Sequence, residues 1–237
     1  MTTCLSMVQA VCARLGLQVH NIAIGSQDPQ IQNIVAIMNE EGQELAARSD
    51  GWEALQTEAT YTTVATEDQG LLSTIAPGLK FIINDTIWNR TLRRPVFGPR
   101  TPQSWQQQKA FAINGPWSSF RIQSGHLRMF PVPVAGQNCY FEYITSNWLT
   151  DTTGTAGYEA WNADTDIPRL DYQLILLGTV WRWKKHKGLE YAEDFNTYER
   201  RVLDALARSG SKDWLNLSNN KYDLQPAILV PAGSWSL

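Results

Sequence analysis

The spacing of the apolar residues changes along the chain, and that change limits the possible folds more than any single motif. Leu5, Val8, Cys12 and Leu15 recur at intervals of three and four and stop at Gly16, as one face of an α-helix does. After a polar loop, Asp28-Pro29 supplies an N-cap and a first-turn proline. Ile31, Ile34, Val35, Met38 and Leu45 then carry a second helical face to about Arg48. The connection is short, so the two helices are expected to pack as an antiparallel hairpin. Ser49-Asp50-Gly51 ends the second.

From about residue 55 to 148 the period falls toward two. Ala59 to Val64 is rich in β-branched and aromatic residues, and Phe81–Ile83 and Thr86–Leu92 are further strand candidates. Phe120–Gln123 and His126–Phe130 flank Ser124-Gly125, a two-residue hairpin turn. Asn138–Thr145 is the last strand, and Thr101-Pro102 caps one helix inserted among them. Residues 149–166 read as a Thr/Gly/Asp loop. Asp166 and Pro168 are expected to open a third long helix with Leu170, Leu174, Leu177 and Trp181 on its stripe. Lys184, Lys185, His186 and Lys187 suit the negative end of its dipole, and Gly188 stops it. Tyr191, Phe195, Tyr198, Val202 and Leu206 mark a fourth helix from about Leu189 to Ser209.

The predicted fold class is therefore α+β: a four-helix bundle formed by the N- and C-terminal helices, with a β-rich inserted domain and an extended C-terminal tail. The predicted segments are an N-terminal hairpin (1–54), the β-rich insertion (55–148), a C-terminal hairpin (149–210) and the tail (211–237).

Composition narrows the function. A formal net charge of -3 and the absence of long like-charged runs argue against a chain whose main task is gripping phosphates. Cys4, Cys12 and Cys139 are an odd set without metal-ligand spacing, read as small hydrophobes in a reducing compartment. No secretory leader or membrane-length apolar run is read from the sequence, so the three Asn-x-Ser/Thr matches at Asn84, Asn89 and Asn216 are taken as chance. Ten tryptophans is a high number for 237 residues. Trp52, Trp88 and Trp181 are expected in the core. Trp214 and Trp235, in the tail, are expected at an interface, where tryptophan buries much area with few torsions to freeze.

There is no Gly-rich phosphate loop, His-Glu-x-x-His, Cys-x-x-Cys or Gly-x-Ser-x-Gly. His20, His126 and His186 are scattered. Asn162 to Asp166 imitates the start of a calcium loop, but Ile167 and Gln173 stand where that loop needs Gly and Glu. Glu40, Glu41 and Glu44, and Glu190, Glu193 and Asp194, are placed on solvated helix faces. No catalytic residue, metal or cofactor is predicted. The alternatives are a virion-associated peptidoglycan hydrolase, which needs only two carboxylates, and a tryptophan-rich carbohydrate binder. Arg90, Arg93, Arg94 and Arg100 lie beside Trp88 and Phe97. Such interleaving suits nucleic acid or a subunit interface, and the near-neutral charge favours the interface, assigned to Arg90, Arg93, Arg94 and Phe97.

Several stretches resemble one family. Val8 to Leu17, Gly25 to Pro29, Asn39 to Leu45 and Asp50-Gly51-Trp52 are similar to the opening of the head-to-tail adaptor (connector), or tail-tubular-A-like, proteins of short-tailed phages. Ile83 to Arg90, Arg93 to Pro99, Trp181 to Lys184 and Lys187 to Phe195 resemble later parts of the same family. The resemblance covers about residues 4–210. It implies a helical bundle with a β insertion, assembled as a ring, expected to be a dodecamer, between the portal protein and the tail nozzle or tail tubular protein. It also implies a virion protein of the head–tail junction, assembled in the host cytoplasm, whose lumen passes double-stranded DNA. In that family the C-terminal segment reaches to the portal, which assigns Trp214, Leu215, Tyr222, Leu229 and Trp235 to portal binding.

Overall fold

The computed structural model describes residues 2–48, 52–111, 115 and 117–209. Two helices open the chain: α1 (Cys4–Leu15) and α2 (Pro29–Arg48). α1 starts with a capping box, in which Thr3 and Ser6 satisfy each other's backbone N–H, and ends at Gly16 in the left-handed region (φ 67°). At the start of α2 the Asp28 carboxylate accepts from the Gln30 N–H at 2.8 Å.

A turn of 3-10 helix (Glu53–Leu55) leads into β1 (Gln56–Thr62), β2 (Asp68–Leu71), a short helix α3 (Leu72–Ile75) and β3 (Leu79–Ile82). β4 (Trp88–Asn89), β5 (Arg94–Phe97), α4 (Pro102–Ala110), β6 (Ser118–Gln123), β7 (His126–Phe130) and β8 (Asn138–Thr145) follow. Three short strands, β9 (Leu149–Thr150), β10 (Gly157–Tyr158) and β11 (Ile167–Pro168), precede α5 (Tyr172–His186) and α6 (Ala192–Arg208).

β1 to β8 make one eight-stranded sheet in the order β1-β8-β4-β5-β6-β7-β2, with β3 beside β8 on the same edge as β4. The β5–β6 pair is parallel and the other pairs are antiparallel. The sheet curls into a half-barrel around its own core, which includes Tyr61, Ile87, Val96, Phe120, Leu127, Met129 and Phe141. Alternation along β1 turns Ala59 and Tyr61 inward and Glu58 and Thr60 outward. Ser124 and Gly125 both have positive φ (53° and 77°), as a type I′ hairpin turn requires.

The helices form a second layer centred on α5. It is buried from Leu174 through Trp183 except at Leu177, and packs on α1, α2 and α6, whereas α1 and α2 meet only lightly. A helix apolar on nearly every side is a core helix rather than one member of a surface hairpin. Trp148, fully buried, enters this layer from the loop after β8. It sits against Gly42 of α2, where a Cβ would lie 2.3 Å from its ring, and donates from Nε1 to the Glu159 carbonyl at 2.8 Å. Trp161 meets it edge-to-face at 5.2 Å between centroids.

This architecture corrects the expected four-helix bundle with an inserted β domain. The protein is α+β, but its largest element is the curled mixed sheet, and among the described residues the helices number six. β2, β5, β9, β10 and β11 have two to four residues each, too few for alternation to stand out from loop sequence. Residues 149–166, read as a loop, contribute β9 and β10 to a small sheet of order β10-β9-β11. Nor does Asp166 open the third helix. Asp171 caps α5, accepting from the Gln173 N–H at 2.9 Å, and Pro168 lies in β11.

Asp166 is buried instead, and its carboxylate accepts from the Asn162 and Ala163 N–H groups, both at 2.8 Å. Asp164 accepts from Ile24 at 2.6 Å and Ala23 at 3.2 Å. The two backbone carbonyls hold the start of α1 through Cys4 and Leu5. The calcium-like run therefore works as a clip made of carboxylates and backbone, joining the N-terminal loop to the start of β11.

Candidate interaction surface

The arginines around β4 and β5 divide into two groups. On the outer face of the sheet, Thr60, Tyr140 and Trp88 lie side by side on β1, β8 and β4, and Glu58 of β1 is directly opposite Glu142 of β8. Like charges in such a position repel. Arg90, just past β4, relieves this by pairing with Glu58 while its guanidinium stacks 3.6 Å from the centre of the Tyr140 ring. Asp85 and Trp88 complete a hollow of about 310 Å³ around this pair. With three carboxylates around one arginine, the hollow is acidic. It does not suit phosphate, so the nucleic-acid reading of this run fails at Arg90.

The second group lies on the flank of β5. Phe97 meets Trp117 edge-to-face at 5.8 Å between centroids, and the Arg94 guanidinium lies 6.0 Å from the Trp117 ring. Trp117 is 51% exposed and Phe97 41%, and Phe111, at the end of α4, is 64% exposed. Exposed aromatics beside an arginine are the side-chain types that dominate protein interfaces. Arg93 stands at the tip of the turn between β4 and β5, exposed and in the left-handed region (φ 54°). Of the four residues assigned to a subunit interface, Arg94 and Phe97 share a patch centred on Trp117. Arg90 turns away to Glu58 and Tyr140, and Arg93 occupies the hairpin tip between. Trp117 was not among the assigned residues. Its signal was its isolation, with Gly115 and Pro116 before it and two serines after it.

Trp214, Leu215, Tyr222, Leu229 and Trp235 lie outside the described residues. Of the eight described tryptophans, Trp52, Trp105, Trp148, Trp161, Trp181 and Trp183 are buried, Trp88 is half-buried and Trp117 is exposed.

A charged cluster that the sequence reading missed lies between the helices. Glu41, placed on a solvated face, is fully buried. Arg182 of α5 donates from Nε to Glu41 at 2.6 Å and from Nη1 to Glu40 at 2.8 Å, and its Nη2 reaches Glu44. Tyr198 of α6 donates its hydroxyl to the other Glu41 oxygen. Burial raises the Glu41 pKa above the ordinary carboxylate range, against the lowering effect of its bonds from Tyr198 and Arg182. Burial also raises the Tyr198 hydroxyl, and the charge of Glu41 adds to it. A glycosidic acid must touch its substrate. Glu41 is fully buried and bonded to Arg182 of α5 and Tyr198 of α6, so its perturbed state belongs to packing.

Several of the remaining candidates have structural partners. His20 pairs with Asp28 at 3.1 Å and His126 with Asp68 at 2.8 Å, while Lys184 of α5 pairs with Asp194 of α6 at 2.5 Å. Cys4, Cys12 and Cys139 are buried and free, with burial pushing the Cys4 thiol up to about 12. Among the described residues, no three His, Cys, Asp or Glu side chains converge to hold a metal ion, and no helix is long and apolar enough to cross a membrane.

Compared with models of known protein families and with curated proteins, the chain matches none.

Proposed function

We propose that this chain is a structural head-to-tail adaptor of a tailed phage, a subunit whose ring joins the portal to the tail and lets DNA pass. The observation that carries this reading is the exposed Arg94–Trp117–Phe97 group on the flank of the sheet. A closed ring needs two different complementary faces on each subunit, and this patch has the chemistry of one of them. Resemblance of residues 4–210 to the adaptor family supports the reading. So does the net charge of -3, because a lumen through which DNA slides must not hold its phosphates. In this reading the tail, with Trp214, Leu215, Tyr222, Leu229 and Trp235, makes the contact with the portal.

Electron microscopy of the full chain mixed with its cognate portal tests the proposal. A ring stacked coaxially on the portal is expected. A bare portal beside free, folded protein would overturn it.

A further inference from the structure

The half-barrel is incomplete at one end. β4 pairs with β8 at Trp88 and Asn89, and β5 pairs with β6 at Val96 and Phe97. Beyond those short strands, no described strand lies between β3 and the far half of β6. A groove of about 820 Å³ opens there, lined among others by Leu71, Leu79, Phe81, Ile82, Phe120 and Ile122. Leu71, Phe81 and Ile122 are 46%, 36% and 39% exposed. In the β6–β7 hairpin the pair next to the turn is Gln123 with His126, so alternation turns the Ile122 N–H and C=O away from β7 and into the groove. The Ile83 N–H donates to Glu142 of β8 at 2.9 Å, which by the same alternation turns those of Ile82 away from β8.

Apolar strand edges of this kind invite pairing, and proteins usually guard them with a charge or cover them. The charge on β3 belongs to Lys80, which lines the groove but is tied at its end to α2. Lys80 sends its ammonium to the Ala46 and Ala47 carbonyls at the end of α2, at 3.1 and 3.3 Å. The edge is therefore built to be covered.

We infer that the C-terminal segment Ala227-Ile228-Leu229-Val230 of the same chain docks as an extended strand in this groove, against β3 and β6. Length, chemistry and reach all favour this occupant. Pro226 and Pro231 bracket four consecutive apolar residues, and a proline cannot donate to a ladder, so the bracketed strand is four residues long. β3 is also four residues long, Leu79–Ile82.

Reach follows from the end of α6. The Glu53 N–H donates to the Ser209 hydroxyl at 3.1 Å. From Glu53 to Gln56 is at most about 11 Å. Gln56 pairs with Ile144, which pairs on its other side with Phe81, adding two strand spacings or about 10 Å. Phe81 is thus within roughly 25 Å of Ser209. The 17 residues from 210 to 226 can span up to about 56–61 Å, so the segment reaches the groove with length to spare. Tethering to the same chain makes the contact intramolecular, which raises its effective concentration and lets weak contacts hold. On the adaptor reading proposed above, Leu229 cannot meet the portal while docked, so docking holds the tail back until a portal displaces it.

The test uses the full chain without portal, so its outcome is independent of the ring. A photoreactive benzoylphenylalanine is placed at position 229, and the adduct is located by peptide mass mapping. Adducts within residues 79–82 or 120–125, in molecules of monomer mass, are expected. Adducts elsewhere, no protein adduct, or adducts to these strands only in molecules of dimer mass would overturn intramolecular docking. Hydrogen exchange of Leu229→Asp gives a second reading without touching the core. Amides of Ile82 and Ile122 should exchange about tenfold faster than in the parent chain, a factor worth ~1.4 kcal/mol, and unchanged rates would overturn the proposal.

Discussion

Gly178 of α5 faces Glu41 of α2 so closely that a Cβ on it would lie 2.1 Å from the Glu41 carboxyl carbon. The missing side chain lets the two helices approach and leaves room for the carboxylate that Arg182 and Tyr198 hold.

Gly178→Ala should therefore destabilise the protein. Alanine is the better helix former by about 1 kcal/mol, but the methyl group would strike a buried carboxylate fixed by Arg182 and Tyr198. Overpacking of this kind costs about 1–3 kcal/mol, and the clash should win. A fall in Tm of several degrees in a thermal melt is expected, and a rise would show that α2 can move away at little cost.

Arg182→Met should cost more. It leaves Glu41 buried without its cation, and breaking a buried pair in this way typically costs about 3–5 kcal/mol. The double variant Arg182→Met with Glu41→Leu removes both charges and should recover a good part of that loss. Urea unfolding of the parent, the two single variants and the double variant gives the coupling. Additive losses would mean that the pair does not act as a unit.

The Glu41 carboxyl also gives a pH dependence with a definite sign. Its pKa is raised in the folded protein, so the folded state binds the proton more tightly than the unfolded chain does. Its contribution to stability is fully present below the unfolded value of 4.5 and is lost as pH rises through the folded value. Relative to Glu41→Gln, whose amide does not titrate, the parent should lose stability as pH is raised from 4.5 toward neutrality. A stability difference between the two that is flat across that range would sink the assignment.

Several elements of this fold were legible in the sequence but their architecture was not, and the gaps have physical causes. α1, α2, the β6–β7 hairpin and β8 each combine a sustained period with a clear cap or turn, such as Gly16, Asp28-Pro29 and Ser124-Gly125. Strands of two residues such as β9 carry no period to read; the place of β9 is set by pairing with β10 and β11. Glu41 was misplaced because charge was taken to mean solvent. Its position carried the contrary signal, since Met38, Glu41 and Leu45 follow one another at the three-and-four spacing of the buried face. Its partner Arg182 could not be found by period, because α5 is buried on nearly every side. In the candidate interface, Arg94 and Phe97 were found from composition. Trp117 comes to them from the start of the neighbouring strand β6, twenty residues after Phe97.

Asp164→Ala should loosen the loop before α2. The carboxylate accepts from the Ala23 and Ile24 N–H groups, and leaving such donors unsatisfied costs about 1–3 kcal/mol. A lower Tm and faster hydrogen exchange at Ala23 and Ile24 are expected. Because the run is a structural clip, adding calcium or a chelator should leave the melting of the parent chain unchanged. A shift with calcium would return these residues to the metal-binding reading.

Trp117→Ala separates assembly from folding. Trp117 is half exposed and touches Phe97 and Arg94 at the surface, so its removal should change the stability of the subunit by no more than about 0.5 kcal/mol. If the patch is a ring contact, the same change removes a central aromatic anchor, for which a loss of about 2 kcal/mol or more per interface is typical. That corresponds to roughly thirtyfold weaker association at each contact, and a ring multiplies it by repeating it. The expected result is a parent-like thermal melt together with loss of rings on the portal in electron micrographs. Rings that form normally with Trp117→Ala would place the contact elsewhere, and the turn bearing Arg93 would be the next surface to change.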